Sequence, residues 1–221
     1  MTEPLRVAIV GKGGAGKSVI AGTLARLLAR DGRDVLALDS DPMPGLTISL
    51  GMGVTDDRSL EEVVERGDDN RWRFKKGLGP ARALRRCAVE GPDGIRLLQF
   101  GKAGSSGMGA VMGSLNGFHK VVHRLVSTRA GSEWDIVGDL SAGPRQAAFN
   151  WAPYADLHAV IVEPNWKSIL SARRIARIAR ANSRAVFVGN KIRNDDDVEL
   201  IEDALDERLI ASIAFSDEVL L

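Results

Sequence analysis

Residues 11–18 read Gly-Lys-Gly-Gly-Ala-Gly-Lys-Ser, and this octapeptide leaves the chain few ways to fold. It satisfies the pattern G-x-x-x-x-G-K-[ST] through Gly11, Gly16, Lys17 and Ser18, a spacing that curls successive backbone amides inward around phosphate oxygens. The pattern has meaning only with a strand before it and a helix behind it. Leu5 to Val10 is a short apolar run, as a buried parallel strand should be, and Val19 to Arg30 carries an apolar face at helical spacing. A glycine-rich turn without function would need neither flank. Lys17 is expected to reach the β- and γ-phosphates and the Ser18 hydroxyl to ligate Mg²⁺. Gly13, Gly14, Ala15 and Val19 complete the expected cradle, with the helix aiming its positive end at the same anion.

Apolar β-rich runs recur at 5–10, 34–39, 95–100, 134–140, 157–163 and 184–189, with a weaker one at 209–213. Helical patterns fit 17–30, 59–66, 114–129, 167–181 and 196–206. This alternation implies an α/β fold with a mostly parallel central sheet flanked by helices on both faces. Ligands in such sheets bind at the carboxyl ends of the strands. No repeat or linker divides the chain, so one phosphate-loop domain over residues 1–221 is expected.

The same ends carry carboxylates. The run at 34–39 closes on Asp39-Ser40-Asp41-Pro42, placing a carboxylate pair where it can hold Mg²⁺ or orient an attacking water. Asp-Pro is also an ordinary turn opener. The run at 134–140 closes on Gly138-Asp139-Leu140-Ser141-Ala142-Gly143. An apolar strand ending in aspartate, then glycine, reads as a metal aspartate followed by a switch glycine, Gly143, that senses the γ-phosphate.

The base is addressed by Val186 to Asn194. A strand ending in Asn-Lys-x-Asp would suit guanine, but the fourth position is Arg193, which offers no acceptor. Adenine is favoured, and Asn190 is expected at the base edge. The expected ligands are therefore ATP and Mg²⁺.

Composition removes whole classes of alternative. Formal net charge is +1, so no global field argues for nucleic acid or membrane. One cysteine, Cys87, excludes an intrachain disulfide framework and suits a reducing cytosol. No apolar run approaches the ~18 residues of a membrane span, and Met-Thr-Glu-Pro leads into the first strand without an apolar leader. A cytoplasmic protein is expected.

Lys12, with Asp39-Ser40-Asp41-Pro42 and the segment 138–143, resembles the deviant Walker A ATPases, the group of MinD, ParA, arsenite ATPases and the nitrogenase iron protein. The likeness covers nearly the whole chain. Within the group it is similar to the CooC-type accessory ATPases for nickel insertion into carbon monoxide dehydrogenase. The segments that carry this are 41–46, the loop after Phe100, and Glu163 to Ile175. The resemblance implies a homodimer that closes on two ATP molecules. Lys12 would cross to the partner's phosphates, Asp41 would position water, and Asp139 would hold Mg²⁺ through water. Ser212 to Asp217 resembles the family's last strand and nucleotide-side turn, which adds Phe215 and Asp217 to the expected nucleotide contacts. Two departures matter. Met108 and Ala110 stand where the CooC type has its Cys-x-Cys metal site, and no terminal amphipathic helix like MinD's precedes Leu221. The implied role is a nucleotide switch acting on a client protein. A ParA-like or MinD-like positioning ATPase that binds nucleic acid or a scaffold is the alternative, and a regulator with negligible hydrolysis is another.

Three features stay open. Residues 71–86 hold seven basic and no acidic residues, with Trp72 and Phe74 between them. They fit a solvated hairpin or helix face, or a docking patch for nucleic acid or an acidic partner. His119 and His123 stand at i, i+4, so both could face one metal; a solvated helix face is the plainer reading. Residues 101–117, with six glycines, read as a mobile loop.

Overall fold

The computed structural model describes residues 3–41, 45–53, 60–100 and 107–220. Its centre is a strand with no polar face. β1 (Arg6–Gly11) is buried from its second residue onward, with Val7 and Ile9 facing one apolar layer and Ala8 and Val10 the other. Such a strand is stable only when helices cover both sides. On the first side lie α1 (Lys17–Arg30) and α2 (Leu46–Leu50), which follow β1 and β2 (Val35–Asp39). On the second lie α3 (Pro80–Cys87), α4 (Gly107–Arg124), α7 (Trp166–Ala179) and α8 (Asp195–Leu205).

With β5 (Val89–Glu90), β6 (Arg96–Gln99), β7 (Asp135–Asp139), β8 (Leu157–Val162), β9 (Arg184–Ile192) and β10 (Leu209–Ala214), the sheet runs β10-β9-β8-β1-β7-β2-β6-β5. Every pairing is parallel except β5 with β6. The chain runs from β1 towards β2 on one side and later adds β8 on the other. β1 therefore marks the switch point at whose carboxyl end such sheets bind ligands. The expected fold class is the one observed.

Several local readings need correction. The helix expected at 59–66 is a 3-10 turn, Leu60–Val63, running into β3 (Val64–Arg66), which pairs antiparallel with β4 (Trp72–Phe74). Two β-branched valines and a turn closed by Asn70 at φ 61° favour the hairpin, and Leu60, Val63 and Val64 bury into the core there. The helix expected at 114–129 begins at Gly107 and ends at Arg124; the chain then makes a 3-10 turn and a short α5 (Arg129–Glu133). Thr128 closes that break, donating to Leu125 O at 2.6 Å and accepting from Gly131 N at 3.1 Å. Of the glycine-rich stretch, 107–117 is helix rather than loop, and 101–106 lies outside the described residues, as does 42–44.

The basic segment divides between β4 and α3. Arg73 pairs with Asp69 at 2.8 Å and Arg86 with Glu62 at 3.0 Å. His119 and His123 lie ring against ring, centroids 3.9 Å apart and tilted by 34°. Among the described residues no group of three His, Cys, Asp or Glu is placed to hold a metal. Among them also, no helix is long and apolar enough to cross a membrane.

Gly22 shows how closely α1 and α2 approach. A Cβ there would lie 2.8 Å from Ser49 Cβ and 2.9 Å from its carbonyl. Gly22→Ala would gain about 1 kcal/mol of helix propensity but force the helices apart at a cost of about 1–3 kcal/mol. Thermal unfolding should show a lower Tm; a raised Tm would mean that α2 yields freely.

Candidate functional site

Three chain reversals at the carboxyl ends of β1, β2 and β7 build one crevice. In the first, Gly16 takes φ 90°, ψ 16° and opens α1, a left-handed conformation that a side chain would resist. A Cβ there would also strike Asn190 Nδ2 at 2.3 Å. The first amides of α1 have no intrahelical acceptor, so loop and helix together present donors to an anion. Lys17 is almost buried, and its Nζ donates to Lys12 O at 3.3 Å.

β2 and β7 end side by side, with Asp39 in register with Asp139. Asp39 organises its own loop: its oxygens accept from Asp41 N and Leu46 N, both at 3.0 Å. Burial pushes its carboxyl up to about 6 against those amides, with the Asp41 charge adding to the rise. Asp139 differs. The Ser18 hydroxyl hydrogen-bonds its carboxylate, yet its buried Oδ1 has no hydrogen-bond partner among the described residues. Burial pushes its carboxyl up to about 7, the Ser18 bond and the Lys17 charge opposing this and the Asp39 and Asp41 charges adding to it. A buried carboxylate oxygen without a partner is costly. Beside a serine hydroxyl and a second aspartate it has the chemistry of a hard-cation ligand. A magnesium ion fits these residues: Ser18 and Asp139 could hold it directly or through water, while each Asp39 oxygen already holds a backbone amide.

Gly143 turns left-handed at φ 86° and its amide donates to Gly11 O at 3.0 Å. Gly143 thus rests on the phosphate loop. A residue that sequence reasoning passed over locks the two aspartate loops together. Gln146, in α6 (Arg145–Ala148), accepts from Ser40 Oγ at 2.6 Å and Ser141 N at 2.8 Å, and donates to Ser40 O at 2.8 Å. An isolated glutamine after a glycine-proline turn carries no signal of this.

A cleft of about 570 Å³ continues from the phosphate loop, between α1 and the ends of β9 and β10, lined by Gly16, Val19, Asn190, Lys191, Ile213 and Phe215 among others. Its apolar walls suit a flat heterocycle. Asn190 gives its amide nitrogen to Ala15 O at 2.8 Å, so it braces the loop as well as facing the cleft. Arg193 lies over the Phe215 ring, 4.8 Å from its centroid. Asp217 is exposed, one residue beyond the last lining residue, Ser216.

Lys12 stands at the rim. Its Nζ lies 3.6 Å from Glu163 Oε2; the other Glu163 oxygen holds Lys191 Nζ at 2.7 Å. Asp41, half-buried, donates its amide to Asp39 Oδ1 and borders the undescribed residues 42–44. The structure therefore brings Lys12, Lys17, Ser18, Asp39, Asp139 and Gly143 to one crevice, with Asn190 and Phe215 in the adjoining cleft.

Comparison with known proteins agrees with this geometry. The family model described as CbiA, the CobQ/CobB/MinD/ParA nucleotide binding domain, matches residues 7–220. The chain is 28% identical over 233 residues to an uncharacterized ATP-binding protein of Methanocaldococcus jannaschii, covering 98% of this chain and 87% of that one. It is 26% identical over 227 residues to the carbon monoxide dehydrogenase accessory protein CooC of Rhodospirillum rubrum, covering 97% and 85%. Among solved structures, the cell division ATPase MinD of Pyrococcus furiosus superposes with a TM-score of 0.71 at 19% identity, over 97% of this chain and 84% of that one.

Proposed function

Because the chain belongs to the CobQ/CobB/MinD/ParA nucleotide binding domain family, a family of P-loop ATPases, we propose that it is a Mg²⁺-dependent ATPase working as a dimeric nucleotide switch. Residues 1–221 act in this reading as one ATPase unit. Asp139 carries it: a buried oxygen without a partner among the described residues, beside Ser18 and Lys17, is a cation site next to a phosphate site.

The loop amides of residues 13–18 and Lys17 bind the triphosphate, and Val19, Asn190 and Phe215 enclose the base. Ser18 and Asp139 would hold Mg²⁺, with Asp39 fixing the loop beside them. Once bound, the ion neutralises phosphate charge. Asp41 orients a water whose oxygen bonds to the γ-phosphorus as the bond to the ADP oxygen breaks, ADP leaving with the electron pair. The water's proton passes to Asp41 and then to the phosphate or solvent. Lys12 meets the charge spreading over the γ-phosphate of the partner's ATP, and Gly143 leaves Gly11 O to read the γ-phosphate bound by its own loop.

The likeness to a carbon monoxide dehydrogenase accessory protein supports an accessory or maturation role towards a client protein. Lacking the Cys-x-Cys pair at Met108 and Ala110, the chain would act on that client through its conformation rather than as a thiolate metal carrier.

Two measurements test the reading. Mg-ATP should drive dimerisation in sedimentation and yield free phosphate; a monomer that releases none would overturn it. With Arg193 on Phe215 and no acidic acceptor in its place, ATP should bind at least tenfold more tightly than GTP, about 1.4 kcal/mol. Equal affinities by calorimetry would sink the adenine assignment.

A further inference from the structure

We propose that Glu163 is a positioning residue for Lys12, holding that ammonium within its own subunit before nucleotide engages it, and that Lys191 sets how firmly it does so. The inference rests on the cross-subunit role of Lys12 given above.

The geometry is one buried carboxylate shared unequally between two cations. Glu163 follows directly on β8 and is 8% exposed. The Ser168 hydroxyl accepts its backbone amide at 3.0 Å, and Asn165 caps α7 two residues later, accepting from Ser168 N at 3.0 Å. The side chain is thereby fixed at the lip of the phosphate loop. Lys191 takes the near position, 2.7 Å from Oε1, and also donates to Gly14 O at 2.7 Å. It does so at φ 61°, unusual for a residue that is not glycine. Lys12, at 3.6 Å from Oε2 and with its side chain 36% exposed, is the loosely held partner. A lysine that must leave its own subunit is best held by a contact that costs little to break, and a half-exposed ion pair at this distance is such a contact. Were Lys191 absent, the carboxylate would have Lys12 as its one remaining cation among these three and would close on it.

This gives the two neighbours opposite effects, which a general loosening of the site cannot imitate. An acylating reagent must reach the amine nitrogen, so a lysine held against a carboxylate is labelled more slowly than one free in solvent. The nucleotide-free protein is pulse-labelled with acetic anhydride, and modification of the Lys12 peptide is read by mass spectrometry. Glu163→Gln should raise Lys12 labelling by about twofold to fivefold, the range expected of an exposed ion pair. Lys191→Met, which removes the competing cation while keeping an unbranched side chain, should lower it. In sedimentation with Mg²⁺ and a non-hydrolysable ATP analogue, Glu163→Gln should dimerise at analogue concentrations lower by a similar factor. Unchanged Lys12 labelling in Glu163→Gln, or a shift in the same direction in both variants, overturns the proposal. Dimerisation of Lys12→Ala at the parent's analogue concentration would instead overturn the cross-subunit reading, while the labelling result would still judge the Glu163 contact.

Discussion

Asp139→Asn is expected to make the nucleotide-free protein more stable and the nucleotide-bound protein nearly inactive. The carboxylate is 2% exposed, its Oδ1 has no hydrogen-bond partner among the described residues, and the charges of Asp39 and Asp41 lie close by. Asparagine keeps the shape and removes a buried negative charge, which should relieve about 1–2 kcal/mol. For a chain of this size that is about 2–8 °C in Tm. The same change deletes the anionic oxygen on which a cation at this site would depend, so phosphate release should fall 100-fold or more. Stabilisation by Mg-ATP in thermal unfolding should shrink in parallel. The opposite signs are the point, because functional sites keep groups that the fold alone would discard. A variant that melts lower than the parent without nucleotide, or that hydrolyses ATP at the parent's rate, would remove Asp139 from the site.

What was legible in the sequence is what the chain encodes contiguously. The phosphate loop is eight consecutive residues, and its strand and helix are read from adjacent side chains. The sheet strands could be read from their apolar runs because a strand buried on both faces cannot alternate with polar residues. The terminal aspartates followed, since Asp39 and Asp139 each sit at the end of such a run. The hairpin at 64–74 was not legible: its stability comes from burial against α4 and from a turn, both of which outweigh local helical spacing. Nor were Gln146 and the Glu163–Lys191 pair. Gln146 reaches Ser40 across 106 residues and Lys191 reaches Glu163 across 28, and a contact between distant side chains leaves no periodicity to read. Asn190 shows an intermediate case. Its residue type pointed to the cleft it lines, but its bond to Ala15 O, which braces the loop, had no local sign.

Lys12→Ala should separate binding from turnover. In the resting chain the Lys12 ammonium points to Glu163 at 3.6 Å, while Lys17 is buried against the loop and donates to Lys12 O. The backbone carbonyl that Lys17 uses survives the substitution, so the cradle for the chain's own nucleotide is preserved. ATP affinity should stay within about tenfold, because uniform binding comes from Lys17 and the loop amides. Turnover should fall by roughly 100-fold or more, since a cation supplied from the partner matters most where γ-phosphate charge spreads in the transition state, a task worth about 10³–10⁵-fold where an arginine performs it. ATP-dependent dimerisation should weaken with it. Lys17→Ala should damage binding itself, and Asp41→Ala should accumulate an ATP-loaded dimer that hydrolyses slowly. Calorimetry, sedimentation and phosphate release on the three variants distinguish these patterns. Wild-type turnover in Lys12→Ala would mean that the ammonium has no part in hydrolysis and that the chain cleaves ATP without a lysine from its partner.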